Sequence, residues 1–228
     1  MTEKISIYDS PRFDQLRQEL RLDPQSIRQL RNDLLKRFRA DDLATANFPA
    51  AERVSLHTLK LYRQCDSEID GATKLLFHTA AGMLIESVLL RIASGRTTLC
   101  VSSQVGCAAA CEFCATGKMG VAQNLSTEEI LDQVLQSGQS LTKEDRRLRN
   151  IVFMGMGEPF HNEENLYRAL ERLTAAELFH HSPTKILVST VGITDAMIRC
   201  ARRFPEVNLA LSLHSVRQEV RERLIPLA

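Results

Sequence analysis

Residues 97–120 read TTLCVSSQVGCAAACEFCATGKMG, a predicted strand followed by a loop that holds three of the six cysteines. The strand covers Thr98–Ser102, and Cys107, Cys111 and Cys114 follow it in the spacing C-x-x-x-C-x-x-C. Three thiolates leave a four-coordinate zinc site one ligand short. They suit a [4Fe–4S] cluster whose fourth iron is open to a small molecule. The spacing therefore favours a cluster, with a zinc site or unliganded cysteines as the alternatives.

Beyond this loop, short apolar runs typical of buried parallel strands alternate with amphipathic helical patterns. The further predicted strands are Asn150–Met154, Ile186–Ser189 and Val207–Leu213, and the predicted helices are 126–137, 163–174, one capped by Thr194 and one capped by Ser215. This alternation predicts an α/β fold with a parallel sheet, either doubly wound or a (β/α) barrel. Residues 97–228 have room for four units of about 30 residues. Because a full barrel has eight units, we predict a partial (β/α) barrel.

The region before the barrel divides at residue 71. Residues 1–70 are predicted to form a helical N-terminal accessory domain, with a helical pattern up to residue 62. Asp23 and Pro24 begin one of its helices, whose apolar face comprises Ile27, Leu30, Leu34, Leu35 and Phe38. Residues 71–96 are predicted to be a β-hairpin connection, with strands Lys74–Thr79 and Met83–Ile92. Residues 97–228 are then the partial barrel.

Composition excludes several classes of protein. The hydrophobic fraction of 44% and charged fraction of 25% argue against a disordered chain. The net charge of +1 provides no global basic field for binding nucleic acid. The basic excess within residues 1–40 is interpreted as a solvated helix surface, with an RNA-contacting appendage as the alternative. No apolar run is long enough for a membrane, and the N-terminus lacks the apolar core of a signal peptide. We therefore expect a cytoplasmic protein whose cysteines are not structural disulfides.

Glycine and polar residues follow each of the next three predicted strands. Gly155-Met156-Gly157-Glu158-Pro159 follows the second, Ser189 ends the third, and Ser212-Leu213-His214 end the fourth. Each is explained equally well as a turn or a helix cap. Together with the cysteine loop, they lie at the carboxyl ends of successive parallel strands, where α/β folds bind ligands. The carboxylate of Glu158 could there take the ammonium group of an amino-acid ligand.

The string from Leu99 to Cys114, with Thr116-Gly117-Lys118 and Gly155–Pro159, closely resembles the RlmN/Cfr-type radical S-adenosylmethionine RNA adenine methyltransferases. The resemblance covers residues 70–228. It implies that the three loop cysteines hold a [4Fe–4S] cluster. It also implies a set of S-adenosylmethionine contacts, namely Gly157, Glu158, Ser189, Ser212, Leu213 and His214.

The resemblance further implies a reaction. A 5′-deoxyadenosyl radical would take hydrogen from a methylated cysteine, and the resulting methylene radical would add to adenine C2 or C8 of 23S ribosomal RNA, with transfer RNA as a further substrate. Cys100 matches the cysteine that helps release the RNA adduct, and Glu86 matches the family's proton acceptor. Without the resemblance, Cys100 is a buried strand thiol and Glu86 an exposed hairpin carboxylate. An external electron donor and a monomeric full-length enzyme are also implied.

The sequence departs from the family pattern at its end. Family members continue for more than a hundred residues beyond Ala228, and that part carries the methyl-carrying cysteine. Cys65 and Cys200 lie on neither motif and are expected to be structural or incidental. We therefore expect a truncated portion of a longer enzyme. The alternatives are another radical S-adenosylmethionine enzyme, a zinc module, or an inactive fragment that binds cluster and S-adenosylmethionine without methylating RNA.

Overall fold

A computed structural model of the chain describes residues 4–120 and 123–227, and its largest element is a seven-stranded mixed sheet. The strands are β1 (Ile5–Ser6), β2 (Val54–Ser55), β3 (Lys60–Asp66), β4 (Thr73–His78), β5 (Leu84–Arg91), β6 (Thr97–Cys100), β7 (Gln104–Val105), β8 (Gln123–Asn124), β9 (Asn150–Phe153), β10 (Ile186–Thr190) and β11 (Asn208–Leu211). The helices are α1 (Ser10–Leu20), α2 (Pro24–Arg31), α3 (Asp41–Thr45), α4 (Thr127–Thr142), α5 (Glu163–Thr174), α6 (Thr194–Arg203) and α7 (Gln218–Leu224). None of the helices within the described residues has the length and apolar character needed to cross a membrane.

Four parallel strands form one half of the large sheet, in the order β6-β9-β10-β11. This is also their order along the chain, as in a (β/α) barrel. A doubly wound sheet instead reverses its strand order at a switch point. The predicted partial barrel is thus confirmed, and the described strands do not follow the doubly wound alternative.

The two faces of these parallel strands differ in burial. Side chains on one face are at most 1% exposed, namely Ile151, Phe153, Ile186 and Val188. Ser87 lies on this same face, and its hydroxyl donates to Gln133 of α4 at 2.8 Å, so the helical layer covers this face. The opposite face, which we call the open face, carries a row of half-buried side chains, Val88, Cys100, Val152 and Leu187. Strand alternation thus leaves one side of the sheet available to a ligand.

An antiparallel meander, β3-β4-β5-β6, forms the other half of the sheet. The predicted hairpin corresponds to β4 and β5, with Gly82 at φ +78° in the turn. Strand β3 was predicted to be helical up to residue 62, and the structure corrects this prediction. Almost all of its residues are exposed, so β3 is an edge strand without the apolar alternation that identifies a half-buried strand. The accessory region of residues 1–70 is accordingly mixed in structure rather than wholly helical.

The predicted N-cap residues are correct for two helices and wrong for two. Asp23 caps α2 by accepting the backbone N–H of Gln25 at 2.9 Å. Ser126 and Glu129 form a reciprocal capping box at the start of α4. Thr194, in contrast, is the first residue of α6, and Ser215 lies before α7 without capping it. The hydroxyl of Ser215 instead accepts the backbone N–H of Arg217, which forms a local turn.

A bridge between His57, Asp41 and the buried Asp132, called here the His57 bridge, ties the N-terminal region to α4. His57 Nδ1 lies 2.7 Å from Asp132 Oδ1, and its Nε2 lies 2.9 Å from Asp41 Oδ2. The backbone N–H groups of Thr58 and Leu59 each donate to Asp132 Oδ2 at 2.8 Å. Burial lowers the pKa of His57, but its hydrogen bonds to the two carboxylates and their charges outweigh burial and raise that pKa to about 10. The imidazolium is therefore the form that the bridge stabilises at neutral pH.

Candidate active site

The parallel strands bring the predicted site residues to one edge of the sheet. The cysteine loop follows β6, Glu158 follows β9, Ser189 lies near the end of β10, and Ser212 follows β11. Because all four strands point the same way, their carboxyl ends lie side by side. Direct contacts join them: the hydroxyls of Ser189 and Ser212 lie 3.2 Å apart. We call this region the carboxyl edge.

The cysteine loop is packed mainly by its own small residues and by α7. Cys107 and Cys111 are buried, and Cys114 is half-buried. The backbone N–H of Glu112 donates to the carbonyl oxygen of Leu224 at 3.0 Å, which fastens the loop to the end of α7. Gly117 is needed here because a Cβ would lie 3.0 Å from the backbone nitrogen of Cys111. This close backbone packing positions the three sulfur atoms within one small apolar cluster.

The three cysteines influence one another electrostatically. Burial raises the pKa of the Cys107 and Cys111 thiols, and the charges of the neighbouring cysteines raise the pKa of Cys111 further. Such thiols become thiolates when a metal supplies the compensating positive charge. In residues 4–120 and 123–227, no three His, Cys, Asp or Glu side chains are arranged to hold a single metal ion. In a [4Fe–4S] cluster each thiolate binds a different iron, whereas three thiolates leave a four-coordinate zinc ion one ligand short, so the number of donors fits a cluster better than zinc.

Glu158 is buried at the carboxyl edge, where its side chain joins the loops that follow β9 and β10. One carboxylate oxygen accepts the Thr190 hydroxyl at 2.7 Å and the Phe160 backbone N–H at 3.1 Å. The other oxygen accepts the Val191 backbone N–H at 2.9 Å. A carboxylate has about four lone-pair positions. Three donors therefore hold Glu158 in place and leave acceptor capacity for a ligand.

Gly155 and Gly157 allow the chain to pass closely over the loop that follows β6. A Cβ on Gly157 would lie 2.6 Å from the Gln104 side chain, and its φ of +102° suits glycine. Gln104 in turn accepts the backbone N–H of Glu158 at 2.9 Å. Sequence reasoning missed Gln104 as a positioning residue, although it lies within the string that carries the family resemblance. These contacts fix the position of the Glu158 backbone at the carboxyl edge.

We expect Gly155→Ala to destabilise the protein by about 1–3 kcal/mol, the usual cost of an overpacked core. The added Cβ would lie 2.6 Å from Ser102 Oγ and 2.8 Å from both the Ser102 nitrogen and the Val101 carbonyl carbon. Thermal unfolding of the two proteins measures the difference. The double variant Gly155→Ala/Ser102→Ala removes the Oγ contact but retains both backbone contacts. A melting temperature restored in the double variant would contradict the backbone explanation.

The residues after β11 are held by an arginine that the sequence pattern did not reveal. Arg221 of α7 is only 9% exposed, and its guanidinium donates to the carbonyl oxygens of Ser212 at 3.0 Å and Leu213 at 2.8 Å, and also to that of Val191. His214 has a positive φ of +57°, and its ring lies 4.2 Å from the Phe113 ring of the cysteine loop. Leu213 and His214 remain exposed. Nothing in the local sequence distinguishes Arg221 from Arg223, the exposed arginine of the same helix.

Glu86 and Cys100 lie on the open face of the sheet. Cys100 is opposite Val88 in the β5–β6 register, and Glu86 is two residues from Val88, so the side chains of Glu86 and Cys100 leave the sheet on the same side. Glu86 Oε2 lies 2.8 Å from Lys74 Nζ. Burial raises the pKa of the Cys100 thiol. Neither residue is fully buried, so both are accessible from the open face.

Comparison with known proteins agrees with this geometry. A sequence model of the Radical SAM superfamily matches residues 101–226. A probable RNA methyltransferase of Rhodopirellula baltica is 64% identical over 98% of this chain and 59% of its own length. A probable dual-specificity RNA methyltransferase RlmN of Aquifex aeolicus is 42% identical over 92% of this chain and 61% of its own length. The chain therefore spans about three-fifths of these curated relatives.

A solved structure resembles the whole described fold. The crystal structure of a radical SAM methyltransferase from Sphaerobacter thermophilus has a TM-score of 0.87 and 35% identity to this chain. The match covers 98% of this chain and 67% of the other. The partial barrel and the preceding meander are thus features that this chain shares with an experimentally determined structure.

Proposed function

The chain belongs to the radical SAM superfamily, in its RlmN/Cfr-type family, and we propose that it serves as a radical S-adenosylmethionine methyltransferase. The proposed substrate is an adenine ring carbon, C2 or C8, of 23S ribosomal RNA, with transfer RNA as a second substrate. The observation that carries the proposal is the cysteine loop at the same sheet edge as the buried carboxylate of Glu158. The relatives named as RNA methyltransferases support the substrate class.

In this proposal Cys107, Cys111 and Cys114 hold a [4Fe–4S] cluster with one open iron. Cluster and S-adenosylmethionine together supply the one-electron chemistry, with an external electron donor as partner. The loop cysteines provide three thiolates, and the apolar cluster around them limits the access of water. The Phe113 ring lies against His214, which joins the cysteine loop to the residues that follow β11.

The remaining residues of the carboxyl edge bind and orient S-adenosylmethionine. The carboxylate of Glu158 takes the ammonium group of the methionine part, because it is held by three donors and has acceptor capacity left. Ser189 and Ser212 supply hydroxyls that can exchange their mutual hydrogen bond for bonds to the ligand. Gly157 contributes through its backbone, because its close packing against Gln104 sets the path of the chain into Glu158. Leu213 and His214 form the exposed side of this S-adenosylmethionine site.

Two residues of the open face are proposed to act on the RNA. Cys100 has a thiol whose pKa is raised by burial, so it retains its proton until a base removes it. Glu86 is on the same face, and its carboxylate can receive a proton in exchange for the ion pair that Oε2 makes with Lys74. The arrangement supports Cys100 as the thiol that releases the RNA adduct and Glu86 as the proton acceptor.

We expect Glu158→Gln to weaken S-adenosylmethionine binding by about 10- to 100-fold, because hydrogen bonds to charged groups contribute about 1.5–3 kcal/mol. Isothermal titration of the reconstituted protein measures the affinity. Iron content and melting temperature, measured alongside, separate a binding effect from misfolding. Glu164→Gln is the matched control, since Glu164 is 75% exposed and pairs with Arg168. Equal affinities for the Glu158 and Glu164 variants would count against the proposed ammonium contact.

The proposed function is tested by anaerobic reconstitution with iron and sulfide, followed by dithionite and S-adenosylmethionine. We expect about four irons per chain and release of 5′-deoxyadenosine. A colourless protein with one bound zinc would overturn the assignment. A brown protein that releases no 5′-deoxyadenosine would show that the carboxyl-edge residues bind a cluster but do not support S-adenosylmethionine cleavage. Methylation of adenine is then assayed on a fragment of 23S ribosomal RNA, with the chain extended to the full length of its relatives. A product methylated at a non-adenine position would overturn the proposed substrate.

A further inference from the structure

A concentration of positive charge lies at the end of the partial barrel opposite the carboxyl edge. Three turns meet there, residues 94–96 before β6, 143–149 before β9 and 181–185 before β10. Strands β9 and β10 have four and five residues. At about 3.3 Å per residue, roughly 13–17 Å of strand separate this end from the carboxyl edge. The two ends are therefore distinct surfaces.

Two adjoining cavities form a groove across these turns. One has a volume of about 560 Å³ and the other about 930 Å³. Residues 145–148 and His181 line both of them, so the groove is continuous. Its walls carry seven cationic side chains, of which Arg37 is paired with Asp33 at 2.9 Å. The other six, which we call the basic pole, are Lys36, Arg96, Arg146, Arg147, Arg149 and Lys185.

The charge of the basic pole is not compensated by acidic neighbours. The two carboxylates in the groove are Asp145 and Glu144, and the Arg91 guanidinium engages Glu144 at 2.7 and 2.6 Å. Arg146 reaches Glu144 at only 3.8 Å. Across the residues that the structure describes, the other five cations of the basic pole have no acidic partner within 4.0 Å. Exposed arginines elsewhere are paired in several cases, as Arg199 is with Glu163. Because the whole chain has a net charge of only +1, this positive charge is a local concentration, which favours an anionic partner at this surface.

The shared wall of the groove also holds an unsatisfied polar atom. His181 Nε2 is buried and has no hydrogen-bond partner. Burial lowers the pKa of His181, and a hydrogen bond to the backbone of Arg149 opposes that shift only in part. In the neutral ring, one nitrogen donates, here to the Arg149 carbonyl oxygen, and the other accepts. Nε2 therefore needs a donor. A polyanion of phosphates or carboxylates offers none at neutral pH, whereas the 2′-hydroxyl of ribose does.

We propose that the basic pole binds the phosphodiester backbone of an RNA strand. Guanidinium forks match phosphate oxygens, and a ribose 2′-hydroxyl can satisfy His181 Nε2. This inference rests on the proposed function in its choice of RNA as the polyanion, and it adds a second contact remote from the carboxyl edge. An RNA that occupies both surfaces must be folded and large enough to reach around the barrel. The basic pole then orients the substrate without touching the reacting base.

The test compares two variants of the full chain that remove three positive charges each. The first is Arg96→Gln/Arg147→Gln/Lys185→Gln, within the basic pole. The control is Arg21→Gln/Arg63→Gln/Arg168→Gln, three exposed arginines that lie after α1, on β3 and on α5. Binding to a 20-nucleotide single-stranded RNA is measured by fluorescence anisotropy between 0.05 and 0.3 M salt, roughly the range in which phosphate contacts dominate. Melting temperatures verify that both variants fold.

For the basic-pole variant we expect the slope of log K against log salt to become less steep by about two, since each phosphate contact to a single strand contributes about 0.7. If the parent and the variant bind equally at about 1 M salt, this change in slope makes the variant bind about a hundredfold more weakly than the parent at about 0.1 M salt. The control should stay within about threefold of the parent, because exposed charges beyond a Debye length are screened. Equal losses in both variants would overturn the inference. Equal affinity of the parent for DNA of the same sequence, or for polyglutamate, would overturn the assignment to RNA. None of these readouts requires S-adenosylmethionine cleavage, so the basic pole and the proposed reaction can fail separately.

Discussion

Cys111→Ala is expected to reduce bound iron from about four per chain to almost none and to abolish S-adenosylmethionine cleavage. Cys111 lies in the centre of the loop, where Cys114 donates its backbone N–H to the Cys111 carbonyl oxygen at 3.1 Å and Gly117 packs against its nitrogen. The substitution changes only the sulfur, so this backbone arrangement can persist. A cluster held by two thiolates would lack a protein ligand on a second iron. Iron and sulfide analysis, with the visible absorption spectrum, measures the outcome.

Cys65→Ala is the matched control for this prediction. Cys65 is half-buried on β3, at the edge of the sheet and opposite Lys74 in the β3–β4 register. We expect its variant to bind as much iron as the parent protein. Full iron content in the Cys111 variant, or an equal loss of iron in both variants, would contradict the proposal that the cysteine loop holds the cluster.

Asp132→Ala should lower the free energy of unfolding by about 3–5 kcal/mol, as expected when one partner of a buried ion pair is removed. The Asp132 side chain is 0% exposed. Its loss would leave the His57 imidazolium with Asp41 alone and the Thr58 and Leu59 N–H groups without their acceptor. Urea unfolding measures the difference. Asp195→Ala, in the exposed first turn of α6, is the control and should change stability by less than about 0.5 kcal/mol.

The same bridge gives the protein a pH dependence with a defined sign. The pKa of His57 in the folded protein, about 10, lies above its unfolded value of 6.5. The stabilisation of the folded protein by the His57 imidazolium is therefore fully present below pH 6.5 and is lost as the pH rises through about 10. His57→Gln should remove this dependence between pH 7 and 10. A parent and variant with parallel stability curves over that interval would contradict the assignment of charge to the bridge.

Local patterns were sufficient for the elements whose residues interact with near neighbours. The predicted helix 163–174 has the same bounds as α5, and the capping box of α4 depends on two residues three positions apart. The cysteine loop could also be predicted because its ligands are close together in sequence. The parallel direction of β6, β9, β10 and β11 follows from β-α alternation, whereas their sequential order in the sheet is known only from the structure.

The features that prediction missed depend on partners that are distant in sequence. Strand β3 is recognisable only through its pairing with β4, since its own residues are exposed on both faces. The His57 bridge joins residues 75 positions apart, and no local pattern relates them. The partners of Arg221 are backbone carbonyl oxygens, which every residue possesses, so no side-chain pattern identifies them. The assignments of Glu86, Cys100 and the S-adenosylmethionine contacts came from the family resemblance and remain predictions.

The continuous sheet has a consequence for synthesis on the ribosome. Strands β3 to β6 pair with the strands next to them in sequence. On its other side, β6 pairs with β9, so Leu99 cannot pair with Ile151 until β9 has been synthesised. At about 5–20 residues per second, the 53 residues from Cys100 to Phe153 take about 3–10 s to emerge. During that interval the nascent meander has a hydrogen-bonding edge without its partner, an opportunity for wrong pairing between chains. The four-residue length of β6 limits how long such a mispaired ladder can grow.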